Sequence, residues 1–470
     1  MPQDLPLTVK DAAAALRAGS VSSVQLTEGF LKRISVLNEY LGAFVAVTGE
    51  SALTAAEAAD ADFAAGVDRG PLQGIPLAVK DIIATEDAPT TANSRVLDPE
   101  WGNGVDAPVV ARLRAAGTVV LGKSTTSEFA IGLPDDEKGF LIPRNPWNVD
   151  HTPAGSSSGT GIAVAAGLAL CGLGTDTGGS VRGPAAHNGH TGLKVTFGRV
   201  PKNGVAPLGY TLDSVGPMAR SAYDCAVMLE VMAGYDSGDP YAARIRVPKY
   251  SEMLTDDVEG LRIGVAMPYF FDSPEVTDEV RAAVFAAVDT LKGAGAEASA
   301  VVVPYAEQAK NANHVTLVGE AYAYHRNNLV NRWSDYGRYT RRTLARGAFL
   351  TAADYTQAQR FRSFFRRALA ELFTSYDVLI TPTWPSPAPR SDEMTPEKQL
   401  RNVSFTAPWN LAGLPAVAVP CGFSSSTLPL SMQIIGKPFA EGSVLKVADA
   451  YQRLTDWHLK VPPVPIAVAA

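Results

Sequence analysis

Two serines in glycine-rich surroundings could carry out chemistry together. Ser156 lies in AGSSSGTG, and Ser180, which follows 24 residues later, lies in GTDTGGSVR. The two glycines before Ser180 leave the backbone free to bend sharply, so that its N–H groups can converge beside the hydroxyl. An acyl-transfer enzyme needs this combination of a nucleophile and donors for an oxyanion. A glycine-rich turn without chemistry is the competing interpretation.

The serine hydroxyl needs a base, and the sequence offers two kinds. Lys80 ends the apolar run GIPLAVK, where burial would lower the pKa of its amine and leave a neutral proton acceptor. Ser156 could then relay a proton between Lys80 and Ser180. His187 and His190 offer a Ser-His-Asp arrangement instead, although Ser180 lacks the second glycine of a G-x-S-x-G motif. The residues alone leave both bases open.

The elements that must position these residues alternate between helix and strand. Small residues between Ser156 and Ser180 predict a buried helix that packs closely against a sheet. Elsewhere the patterns predict a helix over 107–117 and strands over 118–123, 261–268, 376–387, 414–423 and 428–439. Helices that alternate with short apolar strands are typical of an α/β fold, here in one compact domain.

Composition and charge exclude several classes of function. The 470 residues carry a formal net charge of -7, and no run of lysine or arginine forms a basic stripe, which argues against nucleic acid as a ligand. The three cysteines and six histidines have neither disulfide nor metal-binding spacing, so we expect no metal site, and the chemistry considered for the two serines needs no cofactor. Without a secretion signal or a membrane-length apolar run, we expect a cytoplasmic protein that has no membrane partner.

One segment matches a nucleotide-binding pattern in its letters only. Residues 117–124, GTVVLGKS, satisfy the phosphate-loop pattern G-x-x-x-x-G-K-[ST]. That loop needs a strand before its first glycine, whereas here a helix precedes Gly117 and apolar residues follow it. We therefore interpret the segment as a helix end and a buried strand.

These motifs resemble the amidase signature family, whose hallmark is a Gly/Ser-rich stretch that ends in GTDTGGS-[IV]-R. The similarity covers nearly the whole chain, in order, through the segments 74–81, 122–130, 145–148, 192–201, 212–221, 376–383 and 428–439. The resemblance implies an α/β fold with a central, mixed, twisted β-sheet that helices cover on both faces. It divides the single domain into a helical region 1–70, a signature core 71–235, a variable, largely helical substrate-pocket region 236–400, and C-terminal strands 401–470 that complete the sheet.

The resemblance also assigns roles to individual residues. Lys80 matches the catalytic lysine, Ser180 the nucleophile, and Ser156 the bridging serine that the family holds with a cis peptide bond. The backbone N–H groups that match the oxyanion hole are those of Thr177, Gly178, Gly179 and Ser180. Because AGSSSGTG departs from the usual GGSSGGS, Ser157 is a reserve candidate for the bridging role.

The implied activity is hydrolysis of the C–N bond of a small-molecule amide through an acyl-enzyme, with aryl amides, anilides or carbamates as candidate substrates and esters as side substrates. Ile131, Gly132 and Leu133 are expected to line the entrance. Aromatic residues between 305 and 340 would suit an aryl group if they faced the cleft, although such a stripe is more often core. We expect a monomer or homodimer. The alternatives are a glutamine-dependent amidotransferase subunit that acts on glutamyl-tRNA with a partner, and a non-catalytic scaffold.

Overall fold

Eleven strands form one sheet in the part of the chain that the computed structural model describes, residues 5–395 and 404–464. The strands are β1 (Phe44–Val47), β2 (Pro76–Lys80), β3 (Val119–Ser124), β4 (Cys171–Asp176), β5 (Thr191–Lys194), β6 (Ser214–Ala219), β7 (Arg262–Ala266), β8 (Glu297–Val301), β9 (Val378–Pro382), β10 (Ala416–Phe423) and β11 (Pro429–Gly436). They lie in the order β1-β3-β2-β4-β6-β5-β10-β11-β9-β7-β8. β2 is parallel to β3 and β4, whereas β10 is antiparallel to β5 and β11, so the predicted mixed sheet is confirmed.

Helices flank this sheet on both faces, as predicted. Those described are α1 (Val9–Arg17), α2 (Ser23–Leu41), α3 (Gly49–Ala64), α4 (Pro108–Ala115), α5 (Ser158–Ala165), α6 (Arg182–Asn188), α7 (Ala222–Met232), α8 (Asp278–Gly293), α9 (Ala306–Asn331), α10 (Arg338–Ala345), α11 (Ala352–Ser375), α12 (Ala407–Ala412) and α13 (Glu441–Leu454). Within the described ranges, none of the helices combines the length and the apolar composition that a membrane crossing requires.

The strands β2, β3 and β4 position the residues predicted to do chemistry. β2 is buried along its whole length, as expected of a parallel strand that is covered on both faces. β3 is also buried throughout. Gly117 lies between α4 and β3 and has a φ of 87°, a conformation that glycine commonly adopts just after the end of a helix. The segment 117–124 is therefore a helix end followed by a strand, and its backbone N–H groups are not arranged as a phosphate loop.

The small-residue segment between the two serines forms a shorter helix than the sequence suggests. α5 ends at Ala165, and the chain then enters β4, which the sequence does not reveal. Every residue of α5 is buried. A Cβ on Gly159 would overlap the carbonyl oxygen of Ala43 and the backbone nitrogen of Thr125, so only glycine allows this close approach.

The predicted segments of the chain contribute to the sheet in an order that the sequence does not show. The region 1–70, expected to be helical, also contains β1, and the region 236–400 supplies β7, β8 and β9. The strands β10 and β11, which belong to the region 401–470, lie in the middle of the sheet, between β5 and β9. The boundary between 400 and 401 lies outside the described residues.

Candidate active site

Lys80 is the last residue of β2, and its side chain is completely buried. Its Nζ lies 2.7 Å from Ser156 Oγ and 2.7 Å from Thr175 Oγ1. Burial lowers the pKa of the amine to about 7, an effect that the negative charges of Asp176 and Asp213 offset only in part. Near neutral pH a large fraction of Lys80 is therefore uncharged and able to accept a proton.

Ser156, rather than its neighbour Ser157, is the serine that contacts Lys80. The peptide bond that precedes Ser156 is cis. Ser157, the reserve candidate for the bridging role, faces β4 instead, where its Oγ pairs with both the N–H and the carbonyl oxygen of Thr175 at 3.2 Å each. The hydroxyl of Ser157 is thus hydrogen-bonded to the backbone of β4.

Ser180 lies on the turn that connects β4 with α6. Its carbonyl oxygen accepts a hydrogen bond of 3.2 Å from the N–H of Ser157, which brings the two serine-bearing segments side by side. The side chain is partly exposed, and its Oγ is bonded to none of the described residues, including Ser156. The hydroxyl is therefore free to approach a substrate, and proton transfer between Ser156 and Ser180 stays a prediction.

Asp176 organises this turn from the interior. Its carboxylate accepts hydrogen bonds from the N–H of Gly179 at 2.7 Å and of Val181 at 3.2 Å. It also forms a buried ion pair with Arg182, with 3.0 Å between Oδ2 and Nε, and a 2.8 Å hydrogen bond with Asn410. Burial by itself would raise the pKa of Asp176, but the Arg182 guanidinium holds that pKa well below its usual range. The carboxylate is therefore ionised.

The predicted oxyanion hole needs correction at one of its four residues. The N–H of Gly179 is occupied by the Asp176 carboxylate and is not free to meet a substrate oxygen. The N–H groups of Gly178 and Ser180, by contrast, donate to none of the residues that the structure describes. The N–H of Thr177 likewise donates to none of them, so Thr177, Gly178 and Ser180 remain the candidate donors.

His187 and His190, the alternative bases, are not placed for a Ser-His-Asp arrangement. In the described part of the chain, no serine or carboxylate is bonded to either ring. His190 Nδ1 lies 3.0 Å from the carbonyl oxygen of Thr191, and the ring of His187 packs edge-on against Trp384. Burial lowers the pKa of both histidines to about 4. Nor do the described residues contain a group of three or more His, Cys, Asp or Glu side chains that could hold a metal ion.

The residues predicted to line the entrance, Ile131, Gly132 and Leu133, follow a segment that touches Ser156. The N–H of Ser127 donates to the Ser156 carbonyl oxygen at 3.2 Å, and a short 3-10 helix then leads to Ile131. Ile131 is nearly buried, and Gly132 packs against Thr340 of α10. Contact of these three residues with a substrate remains a prediction.

The aromatic residues between 305 and 340 do not form one wall. Tyr336 is buried, with its hydroxyl 2.9 Å from His325 Nδ1. Three others are exposed by between 44% and 49%: Tyr305, Tyr324 and Trp333. Another ring, that of the partly exposed Trp384, lies beside α6, because a Cβ on Gly183 would be 3.6 Å from its Cζ3.

Several residues that hold the site escape an analysis of the sequence. Thr175, which contacts Lys80, lies within the motif GTDTGGSVR, so the sequence did place it close to the candidate nucleophile. Asn313 of α9 and Thr406 at the start of α12 donate to the carbonyl oxygens of the turn from 136 and 228 residues away. Nothing in the local sequence of these two residues points to the site.

Comparison with known proteins gives the chain a family. The family model described as Amidase matches residues 25–445. A glutamyl-tRNA(Gln) amidotransferase subunit of Roseiflexus sp. (strain RS-1) is 40% identical, and the match covers 98% of this chain and 99% of that protein. The corresponding subunit of Geobacter metallireducens (strain ATCC 53774 / DSM 7210 / GS-15) is 37% identical, with 96% and 98% covered.

Solved structures agree with this family. A structure described as an unexpected vestigial protein complex that reveals the evolutionary origins of an s-triazine catabolic enzyme matches with a TM-score of 0.89 and 32% identity, over 95% of this chain and 98% of that one. The native peptide amidase of Stenotrophomonas maltophilia matches with a TM-score of 0.83 and 30% identity, over 98% and 99%. The chain therefore belongs to the amidase (amidase signature) family and is an enzyme that acts on carbon–nitrogen bonds.

Proposed function

We propose that this enzyme is a serine amidohydrolase that cleaves amides through an acyl-enzyme on Ser180. The observation that carries the proposal is the 2.7 Å contact between the completely buried Lys80 Nζ and Ser156 Oγ. A buried amine beside a hydroxyl is poised to exchange a proton with it, provided that the amine is neutral.

A second buried lysine on the neighbouring strand shows what a structural lysine looks like here. Lys123 of β3 has a carboxylate, Asp81, 3.6 Å from its Nζ, and it donates to the carbonyl oxygen of Ile83 at 2.6 Å. Lys80 has two hydroxyl groups in place of these partners. The ammonium form of a lysine would be stabilised more by the partners of Lys123 than by those of Lys80. The environment of Lys80 therefore favours the neutral, basic form.

In the proposed acylation, neutral Lys80 takes a proton from Ser156, which takes the proton of Ser180 as the Ser180 oxygen bonds to the substrate carbonyl carbon. The N–H groups of Thr177, Gly178 and Ser180 would stabilise the resulting oxyanion. Loss of one such donor raises the barrier by about 2.7–4 kcal/mol in other enzymes. The proton then returns through Ser156 to the leaving nitrogen as the C–N bond breaks.

Deacylation repeats these steps with water as the nucleophile. Ser156 takes a proton from water as it passes its own to Lys80, and the water oxygen bonds to the acyl carbon. A proton then returns from Lys80 through Ser156 to the Ser180 oxygen as the bond between that oxygen and the acyl carbon breaks and the acid leaves. The protons balance over the two half-reactions, and no step of the proposal calls for a cofactor.

For the substrate we propose a small aryl amide, anilide or aryl carbamate. The support from the structure is Trp384, a partly exposed residue with an apolar ring, since a Cβ on Gly183, three residues after Ser180, would lie 3.6 Å from its Cζ3. The peptide amidase among the similar structures supports hydrolysis of amides without a transfer step. In this form the enzyme would act in the cytoplasm as a monomer or homodimer.

A second candidate function is that of a glutamine-dependent amidotransferase subunit. It is favoured by relatives that are named as subunits of glutamyl-tRNA(Gln) amidotransferase, which match at 40% identity over nearly the full length of both chains. The amide cleaved would then be that of glutamine, and the ammonia would pass to a substrate bound by a partner protein. Lys80, Ser156 and Ser180 would have the same roles in both functions.

The two functions differ in what the purified chain does alone. We expect p-nitroanilides, primary amides or aryl carbamates to be hydrolysed without a partner, and Ser180→Ala to remove this activity. Release of ammonia from glutamine, together with a second chain that copurifies, would instead support the amidotransferase. A fluorophosphonate should label Ser180 in either case, so a folded wild-type chain that is not labelled there contradicts both functions.

A further inference from the structure

The turn that carries Ser180 is held in place by hydrogen bonds that other residues donate to its carbonyl oxygens. Each of the five carbonyl oxygens from Asp176 to Ser180 accepts a hydrogen bond. In chain order the donors are Asn410 Nδ2 at 3.1 Å, Asn313 Nδ2 at 3.3 Å, Thr406 Oγ1 at 2.6 Å, the N–H of Gly183 at 2.7 Å and the N–H of Ser157 at 3.2 Å. Three of these donors are side chains, and they come from α9 and from the region of α12.

A side chain that donates a hydrogen bond to the carbonyl oxygen of one residue also fixes the direction of the N–H of the following residue. The two groups belong to one planar trans peptide unit and point in opposite directions. The carbonyl group of Thr177 and the N–H of Gly178 form such a unit, so Asn313 fixes the direction of the Gly178 N–H through Thr177. The Gly178 N–H itself donates to no described residue, so among the described residues the contact from Asn313 is the hydrogen bond that orients this peptide unit.

The packing around Asn313 fits this role. Its side chain is 3% exposed, and a Cβ on Gly178 would lie 3.5 Å from its Oδ1 and 4.0 Å from Leu317 Cδ1. The amide of Asn313 thus lies directly against the turn. Donation to the carbonyl oxygen also polarises the peptide unit, which makes the N–H on its other side a stronger donor.

We infer that Asn313 is a positioning residue that aims the Gly178 N–H at the substrate oxyanion. This inference rests on the proposed function, in which Gly178 is an oxyanion donor. It assigns to α9, an element outside the signature core, a direct part in the geometry of the nucleophile turn.

The test is a pair of substitutions at Asn313 with a control on the same helix. Asn313→Leu and Asn313→Asp both remove the amide donor, and the aspartate also keeps the shape of the side chain. The control is Thr316→Val, three residues along α9, since Thr316 is also buried but bonds to Ala312 and Gln359. Loss of a whole oxyanion donor lowers kcat by about 10²–10³-fold. We expect the misdirected donor to lower kcat by about 10–10²-fold, with KM nearly unchanged.

A second readout separates positioning from a general structural effect. A trifluoromethyl ketone forms an adduct on Ser180 with an oxyanion, so its affinity should fall by the same factor as kcat/KM. The affinity for an unreactive product amine should not change. The Thr316→Val control should keep the wild-type kcat/KM, the wild-type affinity for the ketone and the wild-type affinity for the amine.

The outcomes separate this inference from the proposed function. If the wild-type chain shows no Ser180-dependent activity or labelling, the proposed function fails. If it does, and both Asn313 variants keep wild-type kcat and ketone affinity, the positioning role of Asn313 is overturned. If Asn313→Leu does not fold, as judged by circular dichroism, the isosteric Asn313→Asp decides alone.

Discussion

Replacing Thr175 with valine tests how Lys80 becomes a base. Valine keeps the branched shape of the side chain but removes the hydroxyl that lies 2.7 Å from Lys80 Nζ. A neutral amine has one lone pair and two N–H groups, so donation to Thr175 helps to leave the lone pair facing Ser156. Without the hydroxyl this orientation is not fixed, and the maximal rate of proton transfer should fall.

The same contact contributes to the pKa of Lys80. A hydrogen bond from a charged group contributes about 1.5–3 kcal/mol, whereas a neutral one contributes about 0.5–1.5 kcal/mol. The hydroxyl therefore favours the ammonium form by about 1–1.5 kcal/mol, which is about one pKa unit. Its removal should lower the pKa of Lys80 further below about 7. Because the reaction needs the neutral amine, which is present above the pKa, the acidic limb of the kcat/KM profile should move about one pH unit lower.

The assay is the pH dependence of kcat/KM, or of the rate at which a fluorophosphonate labels Ser180. Thr175→Ser keeps the hydroxyl and should keep the wild-type profile. Asp176 and Asp213, whose charges also act on Lys80, are present in both variants, so they do not account for a difference between them. A Thr175→Val enzyme whose acidic limb and plateau both match the wild type would refute the role of Thr175.

The remaining predictions concern the base, the turn and the packing of α5. Lys80→Ala should lower kcat/KM for amides by about 10²–10⁴-fold, and by less for aryl esters, whose leaving groups need no proton; equal losses would argue against the relay. Arg182→Met should lower the free energy of unfolding, measured in urea, by about 3–5 kcal/mol, because it leaves the buried Asp176 carboxylate unpaired; an unchanged midpoint would contradict this. Gly159→Ala should lower the Tm because its Cβ would overlap backbone atoms, whereas Gly293→Ala, where the same atom meets open space, should not; equal Tm values would exclude the tight packing of α5.

The strands that the sequence predicts are those with continuous apolar runs. β3, β9, β10 and β11 are buried, and each prediction overlaps the observed strand. β1 and β8 lie at the two ends of the sheet, and Glu297–Val301 is largely exposed, so it has no apolar pattern to detect. The position of β10 beside β5 depends on how distant parts of the chain pair, which no local pattern contains.

For the active site, too, local sequence patterns do not show which distant residues come together. The types of residue and the resemblance to the family together lead to Lys80 and Ser156, which the structure brings into contact, and to Ser180 on the neighbouring turn. That Gly179 is not a free donor depends on where the side chain of Asp176 points, which spacing does not determine. Asn313 becomes recognisable only after α9 has packed against the turn.

The central position of β10 and β11 gives the order of synthesis a consequence. Arg182, next to the nucleophile turn, is bonded to Asn410 and Gln433, which the ribosome adds 228 and 251 residues later. A nascent chain thus already contains its lysine and both serines while the strands that join the two halves of the sheet are still untranslated. The enzyme should gain activity only when translation is nearly complete, and a prematurely terminated product should be inert.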